Sequence, residues 1–408
     1  MQCRFCHRTL YQEFVNLGNA PASNSFLTAD QLNEPEIFYP LKVYVCDQCY
    51  LVQVDEYKKS GTIFNGDYAY FSSYSSTWLT HAKNYVEMAS ERFKITTSSF
   101  VVEIASNDGY LLQYFAEKQI PVLGIEPSVN TAAVAKAKGI ETITEFFGTR
   151  LANELAAKGR KADLLLGNNV LAHVPDIVDF VAGMKILLKV DGVVTMEFPH
   201  LLQLIANNQF DTIYHEHFSY LSLFTVQQIF EAQGLTIFDV EEIPTHGGSL
   251  RIYARNKENG TLPVHATVNE ILFKEKLQGL SNIESFRGFQ AKAEDIKIDL
   301  ISFLILARKE GKKVAAYGAA AKGNTLLNYC GVKSDLIDFV TDMNPHKQGK
   351  YLPASHIPVR SEEKLKESRP DFVIILPWNI KDEIVKQLHY IRIWGGKFVV
   401  SIPELEIF

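Results

Sequence analysis

Long hydrophobic runs are missing from this chain. The longest strongly apolar stretch, Leu300 to Ala307, falls far short of the roughly 20 residues that cross a bilayer. The N-terminus, Met-Gln-Cys-Arg-Phe-Cys, has polar groups and cysteines where a secretory leader needs an apolar segment. These absences predict a cytoplasmic protein with no membrane partner. Surplus positive charge is missing too: the net charge is −6, which gives no reason to expect a nucleic acid polymer as partner. Cysteine is scarce, with five in 408 residues. In a reducing compartment these are metal ligands or core residues rather than a disulfide framework. Low-complexity segments and convincing internal repeats are absent. What remains is a composition of 47% hydrophobic and 22% charged residues, enough to bury a large core, and a length that suits two to four domains.

Four of the five cysteines form two pairs, Cys3-x-x-Cys6 and Cys46-x-x-Cys49. Two-residue spacing lets both thiolates of a tight turn face one ion, and two such turns supply the four sulfurs that zinc favours. Four thiolates leave no open position, so the expected zinc is structural. His7 follows Cys6 and is a weaker alternative ligand, while Cys330 reads as a core residue. A redox role has little support, because neither pair opens the helix of a βαβ unit. The loop between the pairs, Leu17 to Tyr39, is rich in Asn, Pro, Ser and Ala.

From Phe100 onward, short apolar segments alternate with helical ones, the pattern of a doubly wound parallel sheet with ligands at the carboxyl ends of its strands. Phe100 to Ala105 and Val122 to Ile125 read as the first two strands, with Ala162 to Leu166 and Val193 to Glu197 as later ones. Strand one carries Glu103 and runs into a turn with Asn107, Asp108 and Gly109; strand two ends at Glu126. An acid at that second position can accept both hydroxyls of a ribose. The first turn is not G-x-G-x-x-G, since Ala105 stands where the middle glycine belongs. That disfavours a pyrophosphate and favours the cationic sulfonium of S-adenosylmethionine over NAD. Asn168, Asn169 and His173 follow a further strand and fall beside the same crevice.

Tyr214-His-Glu-His217 lacks the i, i+4 histidine spacing of a helical zinc site. It suits acid–base chemistry, in which a histidine is tuned by a neighbouring Glu and Tyr; the alternative is a polar loop. The stretch Asp67 to Tyr74 supplies tyrosines that stack on a base, donate a phenol, or simply build a core hairpin. Thr245-His-Gly-Gly-Ser-Leu-Arg251 combines close backbone approach with a cation, or is a hairpin turn into the strand Leu250 to Ala254. Residues 286 to 309 predict a long amphipathic helix. Beyond it lies a second α/β pattern, with strands at Lys313 to Tyr317, Leu336 to Thr341, Asp371 to Leu376 and Lys397 to Ser401. Its turn, Gly318 to Asn324, carries Lys322 at a helix N-terminus, a fair anion site without the Walker ending.

Taken in order, the paired CxxC turns, Glu-Ile-Ala-Ser-Asn-Asp-Gly, Asn-Val-Leu-Ala-His, Tyr-His-Glu-His, Thr-His-Gly-Gly-Ser-Leu-Arg and Tyr-Gly-Ala-Ala-Ala-Lys-Gly-Asn resemble one family over nearly the whole chain. The chain resembles the zinc-containing, S-adenosylmethionine-dependent C-methyltransferases of TDP-4-keto-deoxysugar biosynthesis. That resemblance implies an α/β protein in three parts: an N-terminal zinc-binding module over 1–70, a central Rossmann-like methyltransferase domain over 71–260, and a C-terminal Rossmann-like domain over 261–408 that holds the sugar nucleotide. It implies methyl transfer to C3 or C5, alpha to the ketone of a TDP-linked 4-keto-sugar, through a base-generated enolate. His217 resembles the general base, with Tyr214, Glu216, His173 and Tyr68 as active-site companions. Arg251, Lys322 and His246 fall to the substrate. A monomer or weak dimer is expected. Competing readings are an O- or N-methyltransferase, a sugar-nucleotide dehydrogenase or epimerase, and a zinc module without catalysis.

Overall fold

The computed structural model describes residues 1–57, 61 and 71–408. Near the N-terminus, β1 (Gln12–Ala20), β2 (Tyr39–Val45) and β3 (Val52–Val54) form an antiparallel ladder. On β2, buried Leu41, Val43 and Val45 alternate with the more exposed Pro40, Lys42 and Tyr44, the period of a strand covered on one face.

The middle of the chain opens with α1 (Ser76–Arg92), whose first turn is capped by the Ser75 side chain. There follow β4 (Val101–Ile104), α2 (Leu112–Glu117), β5 (Val122–Ile125), α3 (Val129–Ala137), β6 (Thr142–Ile143), α4 (Thr149–Ala157), β7 (Ala162–Asn168), α5 (Ile177–Leu187) and β8 (Leu188–Pro199). Next come α6 (Leu201–Ala206), β9 (Ser219–Tyr220), α7 (Leu223–Ala232), β10 (Leu235–Ile243), β11 (Ser249–Asn256) and α8 (Ala266–Leu277). The central sheet has the order β10-β11-β8-β7-β4-β5-β6. β6, β5, β4, β7 and β8 run parallel, and the β10–β11 hairpin adds antiparallel at one edge. Every residue of β4 is buried because helices cover both faces, which is why it reads as an unbroken apolar run. The chain winds outward in opposite senses from β4 and β7. This switch point opens a crevice at their carboxyl ends.

The third unit begins with α9 (Phe289–Lys309), which buries Phe289, Ala293, Ile296, Leu300, Phe303, Leu304 and Ala307 along one stripe. It continues through β12 (Val314–Tyr317), α10 (Ala321–Cys330), β13 (Val340–Thr341), β14 (Val359–Arg360), α11 (Glu363–Ser368), β15 (Phe372–Ile375), α12 (Lys381–Gln387), β16 (Lys397–Val400) and β17 (Glu406–Ile407). The strand order is β14-β13-β12-β15-β16-β17, parallel except for the last. The strand expected over Leu336 to Thr341 shrinks to Val340–Thr341, because Leu336 and Ile337 donate back to the Lys333 carbonyl in a turn.

The three units are not strung as beads. β9, from the middle of the chain, pairs with β3 of the N-terminal sheet (Val52 opposite Tyr220, Gln53 opposite Ser219). Cys3, Leu10, Cys46 and Leu51 share a core with Leu165, Val194 and Phe230 of the central unit. Val15, Val43 and Val54 share another with Leu300, Ala316 and Leu327. Among the described residues no helix is long and apolar enough to cross a membrane.

Candidate active site and metal centre

Both CxxC turns close with the same pair of backbone bonds. His7 N donates to the Cys3 carbonyl and Cys3 N to Arg8; Tyr50 N donates to Cys46 and Cys46 N to Leu51. His7 and Tyr50 take the left-handed backbone, at φ 60 and 59°. Two copies of one knuckle thus face each other. All four sulfurs lie within 4.8 Å of one another, with Cys3–Cys49 at 3.6 Å and Cys6–Cys46 at 3.4 Å. A tetrahedral zinc with bonds of about 2.3 Å sets its sulfurs about 3.8 Å apart, so the donor set fits that ion.

The turn after β4 holds three residues in the left-handed region: Ala105 (φ 57°), Asn107 (φ 49°) and Gly109 (φ 75°). Only Gly109 is sterically required, since a Cβ there would stand 2.4 Å from the Ile140 methyl. Opposite, at the end of β5, Glu126 accepts Asn107 N on Oε2 (3.0 Å) and Ser128 N on Oε1 (2.9 Å). Burial raises its pKa. Each oxygen keeps a second lone pair for a ribose hydroxyl. From here a cavity of about 460 Å³ passes Phe146, Phe147 and Val170 and reaches Tyr214 and His217. An apolar slot with a diol acceptor at one end fits an adenosyl group.

Asn107, Asn168 and Asn169 line that cavity, whereas Glu103, Asp108 and Gly109 do not. Glu103 lies fully buried beneath the turn, and desolvation pushes its carboxyl well above the usual range. Asp108 Oδ2 accepts Ser73 N at 3.2 Å, and Asn107 Oδ1 accepts Ser72 N at 2.9 Å. These two side chains tie segment 72–73 to the turn.

The other end of the cavity is built by a loop between α6 and β9. His217 Nδ1 donates to the Thr212 carbonyl (2.9 Å), which leaves Nε2 to accept the Tyr214 hydroxyl (2.9 Å). Burial, then the neighbouring His173, holds the His217 pKa well below its ordinary value. His173 Nδ1 donates to the Glu216 carbonyl at 2.8 Å, and burial pushes its pKa down to about 4. The His173 and His217 ring centres are 4.6 Å apart. Glu216 also lines the cavity. His215 turns the other way, with Nε2 donating to the Pro40 carbonyl at 3.2 Å.

His246 reaches the cavity from the β10–β11 hairpin, in a left-handed conformation (φ 55°) and 2.9 Å from the Asn169 amide. Lys322 enters from the N-terminus of α10. Its Nζ donates to Asn379 Oδ1 (2.6 Å) and lies 4.5 Å over the Trp378 ring. Arg251 departs from the expected substrate role. It sits on β11 directly opposite Glu197, with Nη2 3.0 Å from that carboxylate, and is not part of the cavity wall. A buried guanidinium needs a fixed counter-charge, and Glu197 supplies it. Tyr68 lies outside the described residues, as does Tyr70.

Sequence reading missed several residues. Asn24, from the loop between the cysteine pairs, and Trp78, from α1, line the cavity. Asp211 is fully buried, accepts Trp378 Nε1 at 2.7 Å, and is pushed up to about 6 by burial against the pull of Lys322. No local pattern marks any of them.

Three protein-family models match the chain: a zinc binding domain over residues 3–64, a methyltransferase domain over 81–240 and a C-methyltransferase C-terminal domain over 244–403. The C-methyltransferase NovU of Streptomyces niveus is 35% identical over 403 residues, covering 99% of this chain and 96% of that protein. The ubiquinone biosynthesis O-methyltransferase of Bartonella quintana (strain Toulouse) is 27% identical over 122 residues, 29% of this chain and 49% of that one. Among solved structures, magnesium protoporphyrin IX methyltransferase from Synechocystis PCC 6803 with bound SAM is 16% identical, covering 44% of this chain and 79% of that one at a TM-score of 0.34. End-to-end identity with a C-methyltransferase, and the three matches in chain order, lead to one assignment: the chain belongs to the zinc-containing, S-adenosylmethionine-dependent C-methyltransferases.

Proposed function

We propose that this enzyme methylates C3 or C5, next to the ketone of a TDP-linked 4-keto-deoxyhexose. One observation carries the reading: a neutral imidazole, fixed through Nδ1, presents Nε2 beside a phenol in a cavity that also suits an adenosyl group. A C–H next to a ketone is acidic because its electron pair can spread onto oxygen. His217 Nε2 takes that proton, and the pair left on carbon becomes an enolate. The Tyr214 hydroxyl, which donates to Nε2 in the structure, turns its hydrogen to the keto oxygen as charge gathers there. Glu216 and His173 complete the wall around the reacting carbon. S-adenosylmethionine, when bound, supplies an electrophilic methyl group. Glu126 with Asn168 and Asn169 holds the adenosyl end, and Lys322 at the start of α10 faces the diphosphate of the sugar nucleotide.

The test is mass spectrometry after incubation with cofactor and a panel of TDP-4-keto-sugars. A gain of one methyl on a sugar carbon is expected. Without cofactor, the same sugar should exchange one carbon-bound hydrogen for solvent deuterium. Methylation on oxygen or nitrogen with no exchange would overturn the reading in favour of an O- or N-methyltransferase.

A further inference from the structure

The segment Ala22 to Leu27 lies between the two cysteine pairs, yet it does not belong to the metal site. Asn24 Nδ2 donates to both carboxylate oxygens of Glu216, at 2.8 and 3.0 Å, and its side chain forms part of the cavity wall. The residues around it are tied down at both ends. The Ser23 carbonyl accepts Asn324 Nδ2 (2.6 Å) from α10, and Leu27 exchanges backbone bonds of 3.0 and 2.8 Å with Tyr351. The segment is therefore a strap, fastened to the C-terminal unit and pointing one amide at the active-site loop.

We propose that Asn24 is the positioning residue for Glu216, delivered into the active site by the zinc-bearing module. The assignment rests on the reading of Glu216 as an active-site group. One amide nitrogen that bonds both oxygens fixes the plane of the carboxylate. Its neighbour in sequence is His217, and the Glu216 carbonyl anchors His173. A less firmly held carboxylate would loosen both histidines at once. Other elements of the module brace this loop and the segment after His173: Arg4 Nη1 donates to the Pro175 carbonyl (2.8 Å), its guanidinium lies 5.4 Å over the Phe218 ring, and Val54 N donates to the Phe218 carbonyl (3.1 Å).

The experiment is a double-mutant cycle on the zinc-loaded full chain, with single-turnover kinetics on the TDP-4-keto-sugar that the unaltered enzyme methylates. Asn24→Ala should lower kcat about tenfold or more, leave KM and S-adenosylmethionine affinity within about twofold, and keep one zinc per chain. Asn24→Asp, which sets a carboxylate against a carboxylate, should lower kcat further. In a Glu216→Ala background, Asn24→Ala should cost nothing more. Equal losses in both backgrounds, or a change in KM alone, would overturn the proposal. A second measurement needs no substrate. Hydrogen exchange of the Tyr214–Tyr220 amides should quicken in Asn24→Ala with zinc retained, and unchanged exchange would also refute it. Full activity in Glu216→Ala alone would instead sink the reading of Glu216 and leave the hydrogen-exchange arm to decide on the strap.

Discussion

His217 owes its tautomer to its own main chain. The Thr212 carbonyl accepts the Nδ1 hydrogen, so the lone pair must sit on Nε2, on the cavity side. Replacing it by asparagine removes the proposed base while keeping a polar side chain. His217→Asn should lower turnover by roughly 10²–10⁴-fold, with cofactor affinity measured by calorimetry near normal. Because the His217 pKa lies well below 6.5, the imidazole stays unprotonated as pH falls from 8 to 6.5. The expected kcat profile is therefore level across that range and drops only in more acid solution, provided cofactor and sugar are saturating. An acid limb centred above pH 7 would show that another group is titrating. Asp211, one residue before the Thr212 anchor, makes a prediction of the opposite sign. Burial lifts its pKa from 3.8 to about 6, so the fold prefers its neutral form. Its contribution to stability is full below pH 3.8 and is lost as pH rises through 6. Asparagine at that position does not titrate and still offers an oxygen to Trp378. The stability of Asp211→Asn relative to the parent should thus improve by roughly 2 kcal/mol between pH 4 and 7, read from urea unfolding at each pH. A constant difference would mean that Asp211 is ionised throughout.

At the scale of elements, the cofactor turn is tightly constrained backbone. Gly109 combines a φ of +75° with an Ile140 methyl only 2.4 Å from where a Cβ would go. Alanine there costs about 1–2 kcal/mol from the backbone alone, and Ile140 must also move. Gly109→Ala should lower the melting temperature and weaken S-adenosylmethionine binding severalfold, because Asn107 N in the same turn orients Glu126. Normal binding with a lowered melting temperature would separate the turn from the cofactor. Elements of this kind were legible in sequence because parallel strands buried on both faces read as apolar runs: Phe100 to Ala105 anticipates β4 to within a residue at each end. β6 and β9, two residues each, have no period to read; their pairing partners lie far away in the chain or on another strand. The site divides in the same way. Glu126, Tyr214 and His217 stand in motifs whose local chemistry is visible. Arg251 misleads, because its partner Glu197 is set by the register of β11 against β8, and register between distant strands is not written in either one. Asn24 is an ordinary residue in a polar loop until the fold brings it to Glu216.

At the scale of the whole molecule, the metal site and the active site are mechanically joined. The knuckle residue Cys3 is bonded through its sulfur to Gln53 Nε2 (3.3 Å), and Gln53 Oε1 accepts Arg4 N (2.9 Å). Gln53 is also the β3 residue opposite Ser219, two positions beyond His217. Cys49 extends the link on the other side, since its carbonyl accepts Thr225 Oγ1 (3.1 Å) at the start of α7. The two knuckles gather four sulfurs around one ion, and binding that ion is what orders them. Losing that ion should therefore unfix β3, then β9, then the loop that carries Tyr214 and His217. The cofactor crevice, formed by β4, β5 and β7, meets the knuckles through packing of the shared core and not through this chain of hydrogen bonds. Cys46→Ser combined with Cys49→Ser should abolish zinc binding and lower methyl transfer at least tenfold, while S-adenosylmethionine affinity changes less than about threefold. Atomic absorption, turnover and calorimetry on the same preparation check the three parts together. Full turnover in a zinc-free chain would show that the metal steadies only its own knuckles, and cofactor binding lost in parallel would show that it holds the entire fold.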